Sequence, residues 1–134
     1  RVRMGKTEVL LFVNGGGVRE KIAAAAEETD EGGVHAFRFC ADGAEFSFRF
    51  GGTAVIERSG GIAYRIELDP SRTTYTEIVT EYGFLSAGVK TLRSEISRKN
   101  GFYFKGEYEL LFEGYAQRHE LSLFAHIRER RQKQ

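Results

Sequence analysis

With one cysteine, one proline and no tryptophan in 134 residues, several classes are closed from the start. Cys40 has no second thiol with which to form an internal disulfide or a cysteine-based metal site, so the expected compartment is the reducing cytoplasm. No apolar run approaches the roughly 18 residues of a membrane-spanning helix, so no span is expected. A single proline leaves the strands free of breakers. Charge of either sign is in short supply as an excess: 20 Lys and Arg against 19 Asp and Glu leave a net charge of +1. That balance argues against a nucleic-acid surface and against an acidic solvating chain. Only the end is biased, where Arg128, Arg130, Arg131 and Lys133 face one Glu129. Residues 128–134 read as a basic tail following one domain over 1–127. A chain of this length buries enough surface to fold without staples.

What is present is glycine, 16 residues, and aromatics, 11 Phe and 6 Tyr. Both point to β structure: rings suit pleated surfaces, and glycine supplies the positive φ of tight turns. The clearest alternation is Glu45–Phe50, with Phe46, Phe48 and Phe50 on one face and Glu45, Ser47 and Arg49 on the other. Phe37 and Phe39 share a face with His35. Ala54, Ile56 and Arg58 share a face, as do Ile62, Tyr64, Ile66 and Leu68, and then Thr74, Thr76, Ile78 and Thr80. Beyond Tyr82-Gly83 come Leu85, Ala87 and Val89, with Ser94–Arg98 continuing past a bulge. Phe104, Tyr108, Leu110 and Phe112 align on a long strand after Asn100-Gly101, and Leu121, Leu123, Ala125 and Ile127 on the last. Residues 18–30 are ambiguous. Four successive alanines favour a helix, yet the segment lies between strands and ends at Asp30-Glu-Gly-Gly33; strand is the assignment and helix the alternative. Inward-facing alanines there would leave room inside.

About nine turns at spacings near ten residues imply eight to ten strands. With no helix to cover a sheet, and only hairpin-length connections, the expected fold is all-β: a single antiparallel up-and-down β-barrel. A barrel of about eight strands either fills with side chains or holds one small ligand.

The spaced motifs Ile56-Glu-Arg58-Ser59-Gly60, Thr80-Glu-Tyr82-Gly83-Phe84-Leu85, Gly88-Val-Lys90-Thr91-Leu92 and Tyr108-Glu-Leu110 resemble the YwiB-like proteins, a bacterial family of unknown function. The resemblance covers roughly residues 18 to 127 and implies a calycin-like, lipocalin-type barrel. Glu81 stands where that family usually has proline, and the alanines of 23–26 replace bulkier residues.

The chemistry-bearing candidates are few. Asn14-Gly-Gly-Gly17 lacks the Gly-Lys-Ser/Thr ending of a phosphate loop. No serine sits in a nucleophile elbow. The three histidines, His35, His119 and His126, have no local metal spacing; seven residues separate the last two, which on one strand would point them to opposite sides. No catalytic residue, metal or cofactor is therefore assigned, and an enzyme is disfavoured. Arg58 either clamps an anion at a barrel mouth or pairs with Glu81 or Glu67. Tyr82 either rims a pocket or packs over the barrel end. The aromatic groups around Phe48 and Phe104 could stack bases only if exposed beside cations, for which Arg49 and Lys105 are the candidates. The expected function is non-enzymatic binding of a small, partly apolar anion in the interior, contacted by Arg58, Tyr64, Tyr82, Phe48 and Tyr108. The alternative is a protein- or RNA-interaction module with a filled core. Either is compatible with a monomer or a homodimer.

Overall fold

Period-two patterning and glycine turns produce strands wherever neighbouring segments can share a ladder. The computed structural model describes residues 3–126, and all of its regular structure is β. Ten antiparallel strands follow: β1 (Arg3–Gly15), β2 (Val18–Glu31), β3 (Val34–Ala41), β4 (Ala44–Phe50), β5 (Ala54–Ser59), β6 (Tyr64–Leu68), β7 (Thr74–Thr80), β8 (Gly83–Ser97), β9 (Phe102–Phe112) and β10 (Tyr115–Ala125). Their spatial order is β6-β5-β4-β3-β2-β1-β10-β9-β8-β7, so first and last strands pair and the sheet curls into a nearly closed barrel. Ile127 and the basic tail expected at 128–134 lie outside the described residues.

Residues 18–30 are strand throughout. β2 pairs with β1 from Arg3↔Asp30 to Gly15↔Val18, and this long ladder overrides the helix propensity of its alanines. Ala26 is buried on the inward face and Ala25 is exposed on the other. The room the alanines leave is in the wall, not along the axis. β2 and β3 pair only between Glu27–Glu31 and Val34–Arg38; beyond that they splay, leaving an open cleft bordered by Ile22, Ala24, Phe39 and Ala41. The bulge in β8 falls between Thr91 and Arg93, where the register with β9 shifts and the strand then continues to Ser97.

The seam lies between β6 and β7, which are consecutive in the chain but share no ladder. Ala63 and Val79 exchange backbone hydrogen bonds of 2.9 and 2.8 Å. Two inward threonines complete the join: Thr74 Oγ1 donates to Glu67 O at 2.6 Å and Thr76 Oγ1 to Arg65 O at 2.8 Å. Side-chain hydroxyls thus satisfy carbonyls that a ladder would otherwise take.

Phenylalanine rings fill the middle of the barrel. Phe50 lies 4.8 Å from Phe104 and 5.1 Å from Phe102, Phe37 lies 5.0 Å from Phe102, and Phe39 stacks on Phe46 at 5.3 Å. Opposite walls close further at Gly106, where a Cβ would stand 3.0 Å from both Leu68 Cδ1 and the Phe104 ring. Phe46, Phe48, Phe50, Phe102 and Phe104 are all at most 7% exposed, so none offers a base a free face. The outer surface carries paired charges instead, with Arg49 and Arg65 flanking Glu57 at 3.9 and 3.8 Å and Lys105 3.8 Å from Glu120.

Candidate functional site

Up-and-down connectivity gives the barrel two ends. The β1–β2, β3–β4, β5–β6, β7–β8 and β9–β10 turns gather at one, the upper end; the start of β1 and the close of β10 lie at the other, the lower end. Polar side chains join the inward rows at each end, where the aromatic core stops.

At the upper end the register Phe46↔Arg58↔Tyr64 places Arg58 on the inward row of β5, one step beyond Ile56. Its guanidinium stands 5.7 Å from the centre of the Phe46 ring, and Nη1 donates to Ile62 O at 2.5 Å. The pairing with Glu81 or Glu67 offered as the structural alternative does not form. Glu67 is taken by Thr53 and Arg72, and no carboxylate among the described residues forms an ion pair with Arg58.

Tyr64 follows Arg58 in the ladder. Burial raises its phenol above the usual tyrosine range, with the Arg58 charge pulling the other way and Glu20 reinforcing the rise. Tyr108, on β9, is pushed up further by burial and by proximity to Tyr64, so both phenols stay neutral and able to donate. Neither is hydrogen-bonded to a described residue. Directly across the β9–β10 ladder from Tyr108 stands His119, stacked at 5.4 Å with rings 10° from parallel and bonded through Nε2 to Gln117 Oε1 at 2.7 Å. The imidazole occupies the space above Gly15, its partner in the ladder, where a Cβ would overlap the ring.

Burial holds the His119 pKa below its ordinary 6.5. The unfolded chain takes up the proton first as pH falls, so stability is full above 6.5 and declines between 6.5 and the lower folded value. His119→Gln should flatten that limb of a stability-against-pH curve measured by urea denaturation. An unchanged slope would show the ring to be solvated. With the ring half-buried, the effect is discounted for solvent screening.

Three of the five expected contact residues, Arg58, Tyr64 and Tyr108, come together here. Phe48 does not join them; at 1% exposure it belongs to the ring stack, between Phe39 and Phe50. Tyr82 sits on the β7–β8 turn, 92% exposed. That hairpin projects past β9, because the β8–β9 ladder begins only at Gly88↔Leu111. It carries exposed Val79, Phe84 and Leu85 beside the upper end.

The order and closure of the strands have a counterpart among solved structures. The crystal structure of the ywiB protein from Bacillus subtilis matches with a TM-score of 0.70, over 91% of this chain and 93% of that one, at 13% sequence identity. The fold is YwiB-like. No family model matches the sequence, and a search of curated proteins finds no match. At 13% identity the likeness is one of fold and transfers no site residue. No helix among the described residues is long and apolar enough to cross a membrane.

The lower end of the YwiB-like barrel holds a second polar group absent from the expected set. Glu28 of β2, His35 of β3 and His126, just past β10, meet there. His35 Nε2 lies 2.5 Å and His126 Nε2 2.8 Å from the same oxygen, Glu28 Oε2. His119 and His126 share no site: one is at the upper end and the other at the lower. Burial disfavours the Glu28 carboxylate, but the hydrogen bonds from the two imidazoles outweigh it and hold its pKa below the ordinary value.

Proposed function

We propose that this chain is a cytoplasmic, calycin-type binding protein without catalytic activity, and that it takes a small, partly apolar anion at the upper end of the barrel. The observation that carries the reading is the grouping of an inward Arg58, free of any carboxylate partner among the described residues, with two neutral phenols lacking protein hydrogen bonds. A carboxylate or sulfonate there would accept from the guanidinium and from Tyr64, each donor being partly desolvated and so strengthened. Leu85 and Ile78, which follow Ala87 and Thr76 on the inward rows of β8 and β7, supply an apolar flank for the rest of the ligand. The aromatic filling of the middle moves this reading from the whole interior to one mouth.

The test uses decanoate as probe, by isothermal titration, together with native mass spectrometry of protein from its own host. Arg58→Ala removes one charge-assisted bond, about 1.5–3 kcal/mol, and should weaken decanoate binding roughly 10- to 100-fold. Its unfolding midpoint should fall only slightly, since the guanidinium hydrogen-bonds one loop carbonyl and faces the Phe46 ring at a partly exposed site. Equal affinity in the variant removes Arg58 from the site; a bare mass and no decanoate heat remove the reading.

The exposed Val79, Tyr82, Phe84 and Leu85 favour a second reading, in which the β7–β8 hairpin docks against a protein. A bare barrel that loses a co-purifying protein on Phe84→Ser would support it.

A further inference from the structure

We propose that Glu28, His35 and His126 bind one divalent transition ion of the zinc type at the lower end of the barrel. The three residues come from β2, β3 and the position after β10, and their ligand atoms all lie within 4.8 Å of one another. A carboxylate serving only to tie two imidazoles has two oxygens to offer. Here both Nε2 atoms converge on one, Oε2, at 2.5 and 2.8 Å. In a tetrahedral zinc site with ligands at about 2.0–2.1 Å, neighbouring ligand atoms stand roughly 3.3 Å apart. The present group reaches that spacing by side-chain shifts of less than about 1 Å, with the ion replacing the shared protons.

The supports of the group point the same way. His35 is clamped by Phe37, stacked at 4.9 Å, and by the edge of Phe102, also at 4.9 Å. Ring packing alone orients it: its Nδ1 is buried and has no partner, where a metal-bound imidazole ordinarily donates to an outer-shell acceptor. His126 has a φ of 60°, in the left-handed region that Gly, Asn, Asp and His enter more readily than other residues. Strand alternation after inward Ala125 would direct residue 126 outward; the left-handed turn brings its ring back to Glu28. Opposite Glu28 in the β1–β2 ladder, and so on the same face, stands Gly5, with nothing within 4 Å of where its Cβ would be. That space admits a water or an external ligand as a fourth donor. The His126 side chain, 38% exposed, leaves a way in.

The donor set selects the ion. Two neutral imidazoles and a carboxylate suit Zn²⁺ and its neighbours, whereas Mg²⁺ and Ca²⁺ demand oxygen throughout and Cu⁺ demands sulfur. Once bound, the ion would tie the end of β10 across β1 to β2 and β3.

The test uses the untagged full chain stripped with a chelator. Zn²⁺ should bind with one-to-one stoichiometry, and at about 100 times its Kd it should raise the unfolding midpoint by on the order of 10 °C. Co²⁺ should give the visible absorption of a tetrahedral N/O site. His126→Asn, which tolerates the left-handed backbone, should weaken Zn²⁺ binding at least about 100-fold, beyond the usual effect of an outer-shell change. Glu28→Gln gives the same reading if that variant fails to fold, and His119→Gln should bind as the wild type does. No Zn²⁺ shift and no Co²⁺ band in the wild type would overturn the site, as would undiminished binding by His126→Asn or Glu28→Gln.

Discussion

Phe104→Ala should lower the unfolding free energy by about 3–5 kcal/mol, a large part of the 5–15 kcal/mol typical of a domain. Phe104 is 0% exposed and packs against Phe50 at 4.8 Å, and its ring lies against Gly106, whose missing side chain lets β9 approach Leu68 of β6. Truncation removes the transfer energy of a whole ring and leaves a cavity. The cavity cannot close by sliding a helix, because the surrounding wall is held on nearly all sides by backbone ladders. Phe104→Leu keeps most of the volume and should cost less than about 1.5 kcal/mol. Urea denaturation reads both, provided the slope stays constant and only the midpoint moves. A loss below about 1.5 kcal/mol for the alanine variant would mean that the rings are loosely held, and the idea of a ligand deep in the barrel would return.

Faces were readable from the sequence; pairings only in part. Phe46, Phe48 and Phe50 alternate with charged or hydroxyl neighbours, and a period of two can mean little else, so the β4 face follows directly. Asp42-Gly43 and Asn100-Gly101 demand hairpins because their φ values are positive, 51° and 77° in the first and 58° and 119° in the second. Residues 18–30 were harder. Alanine reports helix propensity locally, and only the distant partner β1 decides for a strand. The seam had no local signature at all. Thr74 and Thr76 look like ordinary inward strand residues, and nothing in their alternation says that their hydroxyls, not a ladder, hold β7 to β6.

The same division runs through the sites. Arg58 was found by phase, because it continues the row Ala54, Ile56. Phase gives the face but not the depth, which is why Phe48 was grouped with Arg58 although it sits mid-strand in the ring stack. Tyr82 had no phase to read, being a turn residue. Glu28 and His35 lie on inward rows of β2 and β3, but beside the Asp30-Glu-Gly-Gly33 turn Glu28 reads as solvated charge, and only the ladder, which pairs Glu28 with Phe37 and His35 with Asp30, sets them diagonally together. His126 was not accessible even from register. Extrapolating the strand sends it outward, and a single left-handed residue reverses that.

Gly60→Ala should cost about 2–5 kcal/mol, whereas Gly61→Ala beside it should change stability by less than about 0.5 kcal/mol. Gly60 has a φ of 124°, a conformation nearly closed to residues with a Cβ, and the strain alone is about 1–3 kcal/mol. The added carbon would also stand 2.9 Å from Gly43 O and 3.1 Å from Ala44 Cα. Those are backbone atoms of the β3–β4 turn and cannot swing aside as a side-chain tip can; Ala44 is itself buried in the core. Gly61 has open space where a Cβ would go, and its φ is not in the left-handed range. Thermal and urea midpoints of the two variants therefore separate loop composition from loop contact. The β5–β6 loop also carries Ile62, whose carbonyl holds Arg58, so Gly60→Ala should weaken decanoate binding while Gly61→Ala leaves it intact. Equal midpoints for the two variants would mean that the upper end is not built on the contact between these two turns, and that the position of Arg58 is set by its own strand alone.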